Sequence, residues 1–323
     1  MEPVSHNNDA ADAKPRGAGW WRRWRRIGLS LGIVLLLLWI TGCMERYFYY
    51  PTSGPTPPPR HLIGAERVWF RSSDGTRLLG WFIPAQQTTP GDEKAPTILH
   101  VHGNAGNIES HYWFTEYLPA AGFNVFVFDY RGYGESEGAA RSRGPLIADT
   151  HAALDAVLAR PDVDPQRIGM YGQSLGGTIG LNVMAQRTEI KAAVIESAFV
   201  SWREMAACAL GGDQANILCR GLAAMLIPDT HRADDAIATV YRPMLLLHGD
   251  SDSIIPVDHS RTLAEKSEGW ARLVELPGGD HNSLRESHPE IEAMVIQFYH
   301  GTLATTGAAP LPPQDATGPM PRL

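Results

Sequence analysis

The chain has 323 residues, of which 44% are hydrophobic, and a formal net charge of −7 at pH 7. This length and composition suffice for one large domain with a substantial core. The negative charge, with no basic block inside the globular part, argues against nucleic acid as a partner. Three cysteines in the whole chain are too few for a disulfide scaffold.

The N-terminus is first basic and then apolar. Residues 1–26 end in the cluster WWRRWRR, and residues 27–43 are uncharged and mostly aliphatic. A basic cluster before an apolar run is typical of a signal peptide or signal anchor whose basic side stays in the cytosol. We therefore expect membrane attachment through the N-terminus. The globular part is expected on the non-cytoplasmic side, which is the periplasm in a Gram-negative bacterium.

Two kinds of anchor fit this segment. The sequence ITGC at 40–43 matches a bacterial lipobox, in which a cysteine is diacylated and becomes N-terminal after cleavage, so Cys43 is a lipidation candidate. The alternative is an uncleaved signal anchor with the aromatic residues of 47–50 at the interface. Residues 44–64 contain five prolines between Pro51 and Pro59. They predict a stiff, extended spacer that holds the domain off the bilayer.

From residue 65 to residue 301, short apolar runs alternate with segments of helical pattern. The predicted strands are 67–72, 77–83, 97–102, 124–129, 167–171, 192–196, 244–248 and 272–275, and the predicted helices are 146–159, 175–186 and 283–299. The first two strands flank Asp74-Gly75, which predicts a hairpin. The alternation predicts an α/β fold with a mostly parallel sheet and helices on both faces. Residues 198–240 interrupt it and predict a small cap, and 302–323 predict a disordered tail.

The segment IGMYGQSLGG (168–177) places Ser174 between Gly172 and Gly176. This is the G-x-S-x-G pattern of a nucleophile elbow, in which a strand turns at once into a helix and small residues are needed beside the corner. The hydroxyl then lies at a helix N-terminus, where negative charge is favoured. The alternative is a glycine-rich turn with an incidental serine. The partners of Ser174 decide between the two.

Two later loops supply such partners. Asp252 lies in LLLHGDSDSIIP, and His281 lies in LPGGDHNS. The order Ser174, Asp252, His281 is that of the α/β hydrolases. A serine hydroxyl becomes an effective nucleophile when a neutral imidazole takes its proton, and a carboxylate orients that imidazole. Asp250 and Asp280 are rival acids, but the first falls earlier in the loop and the second adjoins the histidine, so Asp252 is preferred.

Acyl transfer also needs hydrogen-bond donors for the oxyanion. The candidates are the backbone N–H groups of Leu175, directly after the serine, and of Asn104, in the loop LHVHGNAGN. His100 and His102 form an H-x-H pair of the kind found in metal sites, but no third ligand lies near them in the sequence. We therefore expect no metal and no cofactor, and we expect His102 to hydrogen-bond beneath the oxyanion loop.

These motifs together carry a family resemblance. They are HGNAGN (102–107), DYRGYGESEG (129–138), GQSLGG (172–177), HGDSDSIIP (248–256) and GGDHN (278–282). In this order the chain resembles the membrane-anchored α/β hydrolases of the bud-emergence type, which include mammalian protein depalmitoylases, and hydrolases grouped with serine aminopeptidases. The resemblance covers about residues 66–300. It implies an α/β-hydrolase fold and the same triad and oxyanion donors.

The resemblance implies a membrane-associated serine hydrolase that cleaves carboxylic ester or thioester bonds through an acyl-enzyme on Ser174. Its expected partner is a small-molecule or acylated substrate. A serine aminopeptidase is the alternative among enzymes, and it would need an acidic patch in the cap for the free amine of its substrate, where Glu204 and Asp213 are the candidates. A catalytically silent binding protein is the alternative outside enzymes, and the complete triad argues against it.

The cap contains two of the three cysteines, Cys208 and Cys219. They lie close together in the sequence, in a domain expected to face an oxidising compartment. We therefore expect them to form a disulfide, which would stabilise the domain by about 2–3 kcal/mol. Two separate, small buried thiols are the alternative.

Overall fold

The computed structural model describes residues 17–40, 45–59, 61–87, 94–211 and 216–304. Within them, an eight-stranded sheet has the strand order β1-β2-β4-β3-β5-β6-β7-β8. The strands are β1 (Glu66–Arg71), β2 (Arg77–Ile83), β3 (Thr97–Val101), β4 (Asn124–Phe128), β5 (Ile168–Gln173), β6 (Ile190–Glu196), β7 (Met244–Gly249) and β8 (Ala271–Leu276). Strand β2 runs antiparallel to both of its neighbours, and every other pair is parallel.

The helices of the described residues are α1 (Gly17–Ile40), α2 (Ile108–His111), α3 (Arg143–Leu158), α4 (Leu175–Gln186), α5 (Trp202–Gly211), α6 (Ile217–Leu226), α7 (Ala233–Ile237), α8 (Asp258–Lys266), α9 (Leu284–Ser287) and α10 (Glu290–Thr302). Helices pack on both faces of the sheet, whereas α1 lies against α6. One core contains apolar side chains of α3, α4 and α8, and a second contains those of α10. The predicted α/β-hydrolase fold is confirmed.

The strand pattern follows from burial. Every residue of β3, β4 and β5 is buried, and these strands therefore consist of near-continuous apolar runs. Strand β1 lies at an edge and alternates between exposed and half-buried side chains. The predicted hairpin joins β1 to β2 at Asp74-Gly75. The single predicted helix over 283–299 is instead two helices, because His288 precedes a proline and leaves the helical conformation there, with φ −133° and ψ 73°.

Residues 45–56, which we call the strap, do not form the separate spacer expected from the prolines. The Glu45 carboxylate is bound to Arg143 at 2.5 Å, and both side chains are buried. The Tyr49 ring packs against Trp202 with the ring centroids 5.8 Å apart. Further along, the Thr52 N–H donates to the Gly106 carbonyl. The strap begins with a 3-10 helix, Glu45–Phe48, and these contacts fix it on the hydrolase domain.

Helices α5, α6 and α7 occupy the stretch between β6 and β7, where the sequence predicts the cap. Cys208 lies on α5 and Cys219 in the first turn of α6. Their thiols are not bonded to each other, so the expected disulfide is wrong for this structure. The Cys208 side chain turns instead towards His259, whose Nε2 lies 3.9 Å from Sγ.

The basic and apolar N-terminal segment forms α1. In the part of the chain that the structure describes, no helix is both long and apolar enough to cross a membrane. The lipidation candidate Cys43 and most of the predicted tail, 305–323, lie outside the described residues.

Candidate active site

Ser174 is the corner between β5 and α4. Its backbone has φ +52° and ψ −116°, a conformation that is strained for a residue with a side chain. A Cβ atom at Gly176 would lie 1.8 Å from the Val101 carbonyl oxygen, and one at Gly172 would lie 2.8 Å from Gly177 Cα. Only glycine fits these positions, so both glycines serve the corner that presents Ser174.

The structure brings Ser174, His281 and Asp252 together. His281 Nε2 lies 3.0 Å from Ser174 Oγ, and His281 Nδ1 lies 2.7 Å from Asp252 Oδ2. All three residues are buried. They follow β5, β8 and β7, and the carboxyl ends of these parallel strands meet at one edge of the sheet. The hydrogen bonds fit an imidazole that carries its proton on Nδ1, donates to Asp252 and accepts from the serine hydroxyl.

Asp252 is bound by more groups than His281 alone. Its Oδ1 accepts hydrogen bonds from the N–H groups of Ile254 and Ile255, at 2.9 and 2.8 Å, and its Oδ2 lies 3.1 Å from His248 Nε2. Burial raises the pKa of Asp252, but hydrogen bonds from His248 and His281 outweigh burial and hold that pKa well below its usual range. The carboxylate is therefore charged at neutral pH. The role of His248 was missed, although it belongs to the motif HGDSD.

The two rival acids brace neighbouring turns. Asp250 accepts hydrogen bonds from the Gly278 N–H at 2.7 Å and from the Ser251 hydroxyl at 3.0 Å. Asp280 accepts both the N–H and the hydroxyl of Ser253 at 2.8 Å. These bonds hold the acid loop against the histidine loop, and they leave Asp252 as the partner of the imidazole.

The two expected oxyanion donors lie beside the serine. Leu175 is the first residue of α4, where an N–H group has no partner within the helix. Leu175, Asn104 and Ser174 line the same pocket. The Asn104 amide oxygen accepts hydrogen bonds from the Tyr50 N–H at 3.1 Å and the Tyr133 hydroxyl at 2.9 Å, and its amide nitrogen donates to the Phe48 carbonyl. The strap and Tyr133 therefore fix the Asn104 side chain through its amide group.

The two histidines of the H-x-H pair serve the interior. His100 Nδ1 lies 2.9 Å from the Thr115 hydroxyl, and His102 Nδ1 donates to the Gly103 carbonyl at 2.7 Å, beneath the oxyanion loop as expected. Burial and the neighbouring His111 lower the pKa of His100 to about 3 and that of His102 well below its usual value. Within the described residues, no group of three histidine, cysteine or acidic side chains is arranged to hold a metal ion.

A pocket of about 560 Å³ opens above Ser174. Its walls come from the strap, the cap and the acid loop, and they include Phe48, Tyr50, Trp202, Met205, Leu226 and Ile254. In the described chain, none of its lining residues is aspartate, glutamate, lysine or arginine. Of the two acidic candidates for binding an amine, Glu204 is paired with Arg220 at 2.5 Å, and Asp213 lies outside the described residues.

Glu196, at the end of β6, is a second buried carboxyl group next to the site, and sequence reasoning missed it. Its carbonyl accepts the Ser174 N–H at 2.8 Å, and its carboxyl group accepts a hydrogen bond from the Tyr171 hydroxyl. Burial raises the pKa of Glu196 to about 7. An acidic residue at the end of the apolar run KAAVIE was the available signal.

Comparison with known proteins agrees with this geometry. Residues 92–231 match the family model described as serine aminopeptidase, S33. The "uncharacterized protein YfhR" of Escherichia coli (strain K12) is 38% identical over 252 residues, covering 76% of this chain and 83% of that protein. The "alpha/beta hydrolase domain-containing protein WAV2" of Arabidopsis thaliana is 33% identical over 268 residues, covering 77% and 83%. The chain belongs to the α/β-hydrolase family.

Within this family, "protein bem46" of Schizosaccharomyces pombe is 28% identical over 239 residues, covering 70% of this chain and 76% of that protein. The resemblance to hydrolases of the bud-emergence type is thus confirmed.

Solved structures share the fold. The Pyrococcus furiosus esterase Pf2001 superimposes with a TM-score of 0.65 at 18% identity, covering 79% of this chain and 100% of that one. The Pyrococcus horikoshii acylaminoacyl peptidase superimposes with a TM-score of 0.60 at 18% identity, covering 75% and 42%. Because one of these hydrolases is an esterase and the other a peptidase, the fold alone leaves the scissile bond open.

Proposed function

We propose that the protein is a serine hydrolase that cleaves carboxylic ester or thioester bonds of apolar acyl groups through an acyl-enzyme on Ser174. One observation carries the proposal: the hydrogen-bonded series Asp252, His281, Ser174 at the floor of an apolar pocket. Membership of the α/β-hydrolase family supports it, because the order of the three residues along the chain is the order found in that fold.

Acylation begins at the serine hydroxyl. As Ser174 Oγ attacks the substrate carbonyl carbon, its proton passes to His281 Nε2, and the imidazolium is stabilised by the charged Asp252. The carbonyl oxygen becomes an oxyanion, which the backbone N–H groups of Leu175 and Asn104 stabilise. When the tetrahedral intermediate collapses, the bond to the leaving alkoxide or thiolate breaks, and His281 returns the proton to that group.

Deacylation repeats these steps with water as the nucleophile. Water gives a proton to His281 and attacks the acyl carbon, and the same two N–H groups stabilise the second oxyanion. Collapse breaks the bond to Ser174 Oγ, which regains its proton from His281. The products are a carboxylic acid and the free enzyme.

The lining of the pocket supports an apolar acyl substrate. A cavity of about 560 Å³ lies within the range of small-molecule sites. Aromatic and aliphatic side chains such as Trp202, Met205 and Leu226 form its walls, so an acyl chain that enters it leaves water for apolar contacts.

The aminopeptidase alternative keeps one supporting observation, the description of the matching family model. A free α-amino group needs a carboxylate or other acceptors near the scissile bond, because burying an unpaired charge is costly. The described lining offers no acidic side chain for it. We therefore rank the esterase or thioesterase activity first.

We further propose that the N-terminus attaches the enzyme to a membrane, with the catalytic domain on the non-cytoplasmic side. The basic cluster at Arg22–Arg26 followed by an apolar run supports this orientation.

The test uses the full-length chain in membranes and a fluorophosphonate probe, which labels activated serines. We expect labelling of the wild type and of Ser73→Ala, a change at an exposed serine outside the site, and none of Ser174→Ala. Equal labelling of Ser174→Ala contradicts the mechanism. Turnover of p-nitrophenyl esters of graded length, acyl thioesters and aminoacyl amides then separates the two activities: preference for the amides favours the aminopeptidase.

A further inference from the structure

The pocket is held a short distance from the end of α1. That helix ends at Ile40, and the strap begins at Glu45, which the buried Arg143 fixes to the domain. Five residue steps span at most about 18 Å. Phe48, in the same strap, is part of the pocket wall. Whichever anchor the N-terminus uses, the pocket therefore cannot lie far from it.

Exposed apolar side chains occur in the wall of this pocket and on the cap helix α6, which borders it through Ala223 and Leu226. Leu210 and Ile254 line it and are 51% and 47% exposed. Helix α6 of the cap adds four more exposed apolar residues: Ile217, Leu218, Leu222 and Met225. A cluster of this kind marks an interaction surface more often than a face left to water. We call these six residues the apolar rim.

Two observations favour a lipid bilayer as the occupant of the apolar rim. In the unprocessed chain, helix α1 lies against α6, so an uncleaved signal anchor would adjoin the rim. A lipidated Cys43 would lie two residue steps from Glu45, which Arg143 fixes to the domain, so this anchor also keeps the cap near the bilayer. The tether of at most about 18 Å keeps the two together when the anchor is in place.

We propose that the apolar rim docks on the bilayer surface and that the acyl group of the substrate enters the pocket directly from the lipid. The inference rests on the proposed function for its membrane anchor and acyl substrate. Leu210 and Ile254 lie at the boundary between lipid and pocket, so an acyl chain passes from one apolar environment to another without crossing water.

Crosslinking tests the docking without any turnover. The full-length chain is reconstituted in vesicles of phosphatidylethanolamine and phosphatidylglycerol, with photoreactive benzoylphenylalanine in place of Leu218. The matched control carries it in place of Ile63, which is 84% exposed and does not line the pocket. We expect phospholipid adducts at position 218 and not at 63. No lipid adduct at 218, equal adducts at both positions, or an adduct joining two protein chains overturns the proposal.

Kinetics test the path of the substrate. Leu218→Glu places a charge on the rim outside the pocket, and Ile63→Glu is the control. For a long-chain acyl ester embedded in the same vesicles, we expect Leu218→Glu to lower kcat/KM by about tenfold or more. The kcat for a short, water-soluble ester stays at the wild-type level in both variants. An equal loss on both substrates, or no loss on either, overturns the proposal. Fluorophosphonate labelling of Ser174 shows independently whether the hydrolase mechanism itself has failed.

Discussion

Two buried carboxyl groups lie at the ends of neighbouring strands and differ in charge for a physical reason. Asp252 is bound by two backbone N–H groups and two imidazoles, and these bonds outweigh burial. Glu196 accepts the Tyr171 hydroxyl, and this bond does not offset the burial that raises its pKa to about 7. The number and type of donors therefore decide that Asp252 is charged, as its proposed role requires, whereas the pKa of Glu196 is raised to about 7.

At this scale the first prediction compares the triad with the rival acid. Ser174→Ala removes the nucleophile and is expected to lower kcat for a p-nitrophenyl ester by about 10⁶, whereas Asp252→Asn, which keeps the shape of the side chain, lowers it by about 10⁴. Asp250→Asn is the matched control and should stay near the wild-type rate, because Asp250 braces a turn. A larger loss of kcat for Asp250→Asn than for Asp252→Asn would show that Asp250, and not Asp252, is the acid that orients His281. Thermal unfolding by circular dichroism verifies that each variant is folded.

The second prediction concerns Glu196 and pH. Its pKa is raised from the ordinary 4.5 to about 7, so between these values the native protein keeps a proton that the unfolded chain releases. The native state binds more protons there, and stability falls as pH rises through this window, by up to about 3 kcal/mol. Glu196→Gln keeps an acceptor for Tyr171 but does not titrate, so the variant should lack this fall.

Urea unfolding at a series of pH values across this window measures the effect. The difference in free energy of unfolding between Glu196→Gln and the wild type should shift in favour of the variant as pH rises. Glu109→Gln, at an exposed position, is the control and should show no such shift. Parallel stability curves for Glu196→Gln and the wild type would show that Glu196 is ionised throughout.

At the scale of elements, the sheet could be predicted because each central strand is a short run of apolar residues in the sequence. Strands β3 to β5 are buried throughout, and no tertiary information is needed to recognise them. The strap could not be predicted in the same way. Its prolines indicate extended chain, but its position depends on Tyr49 packing on Trp202 and Glu45 pairing with Arg143, residues far away in sequence.

The residues of the candidate site also differ in how well the sequence predicts them. Ser174, Asp252 and His281 could be predicted from the sequence alone, because the elbow and the two loops after the strands have short, recognisable motifs. The sequence marks the positions of Glu196 and His248, but what their side chains bind depends on which strand ends lie together. The wrong disulfide has the same origin: proximity in sequence did not reveal that the Cys208 side chain faces His259.

The third prediction tests how firmly the strap is attached. Glu45→Ala leaves the buried Arg143 without its partner and is expected to lower the free energy of unfolding by about 3–5 kcal/mol. The double variant Glu45→Ala with Arg143→Met removes both charges and should lose less than the single variant. Chemical unfolding of all three proteins measures the difference. If Glu45→Ala is as stable as the wild type, the strap is not held by this pair.

On the scale of the whole molecule, anchor and pocket are parts of one arrangement. The strap joins the N-terminal segment to the oxyanion loop, since the Phe48 carbonyl and the Tyr50 N–H both bind the Asn104 side chain. If the N-terminus attaches the protein to a membrane as we propose, the anchor continues directly into the wall of the candidate active site. The strap therefore keeps the pocket close to either kind of anchor, and the chemical nature of the anchor is a separate question.

The last prediction distinguishes a lipid anchor at Cys43 from an uncleaved signal anchor. We expect the mature protein to begin at Cys43 and to carry acyl chains there, because ITGC follows a basic and then an apolar segment as in a lipoprotein precursor. Cys43→Ser then accumulates as an uncleaved chain that contains residues 1–42 and no lipid, and intact-mass spectrometry detects both changes. Cys219→Ser is the control and should be processed like the wild type. If instead Cys43→Ser keeps the wild-type mass apart from the exchanged atom and remains in the membrane fraction, the protein is held by an uncleaved helix. Two acyl chains at Cys43 would hold the protein stably, and Glu45 would then lie within about 7 Å of the lipidated residue.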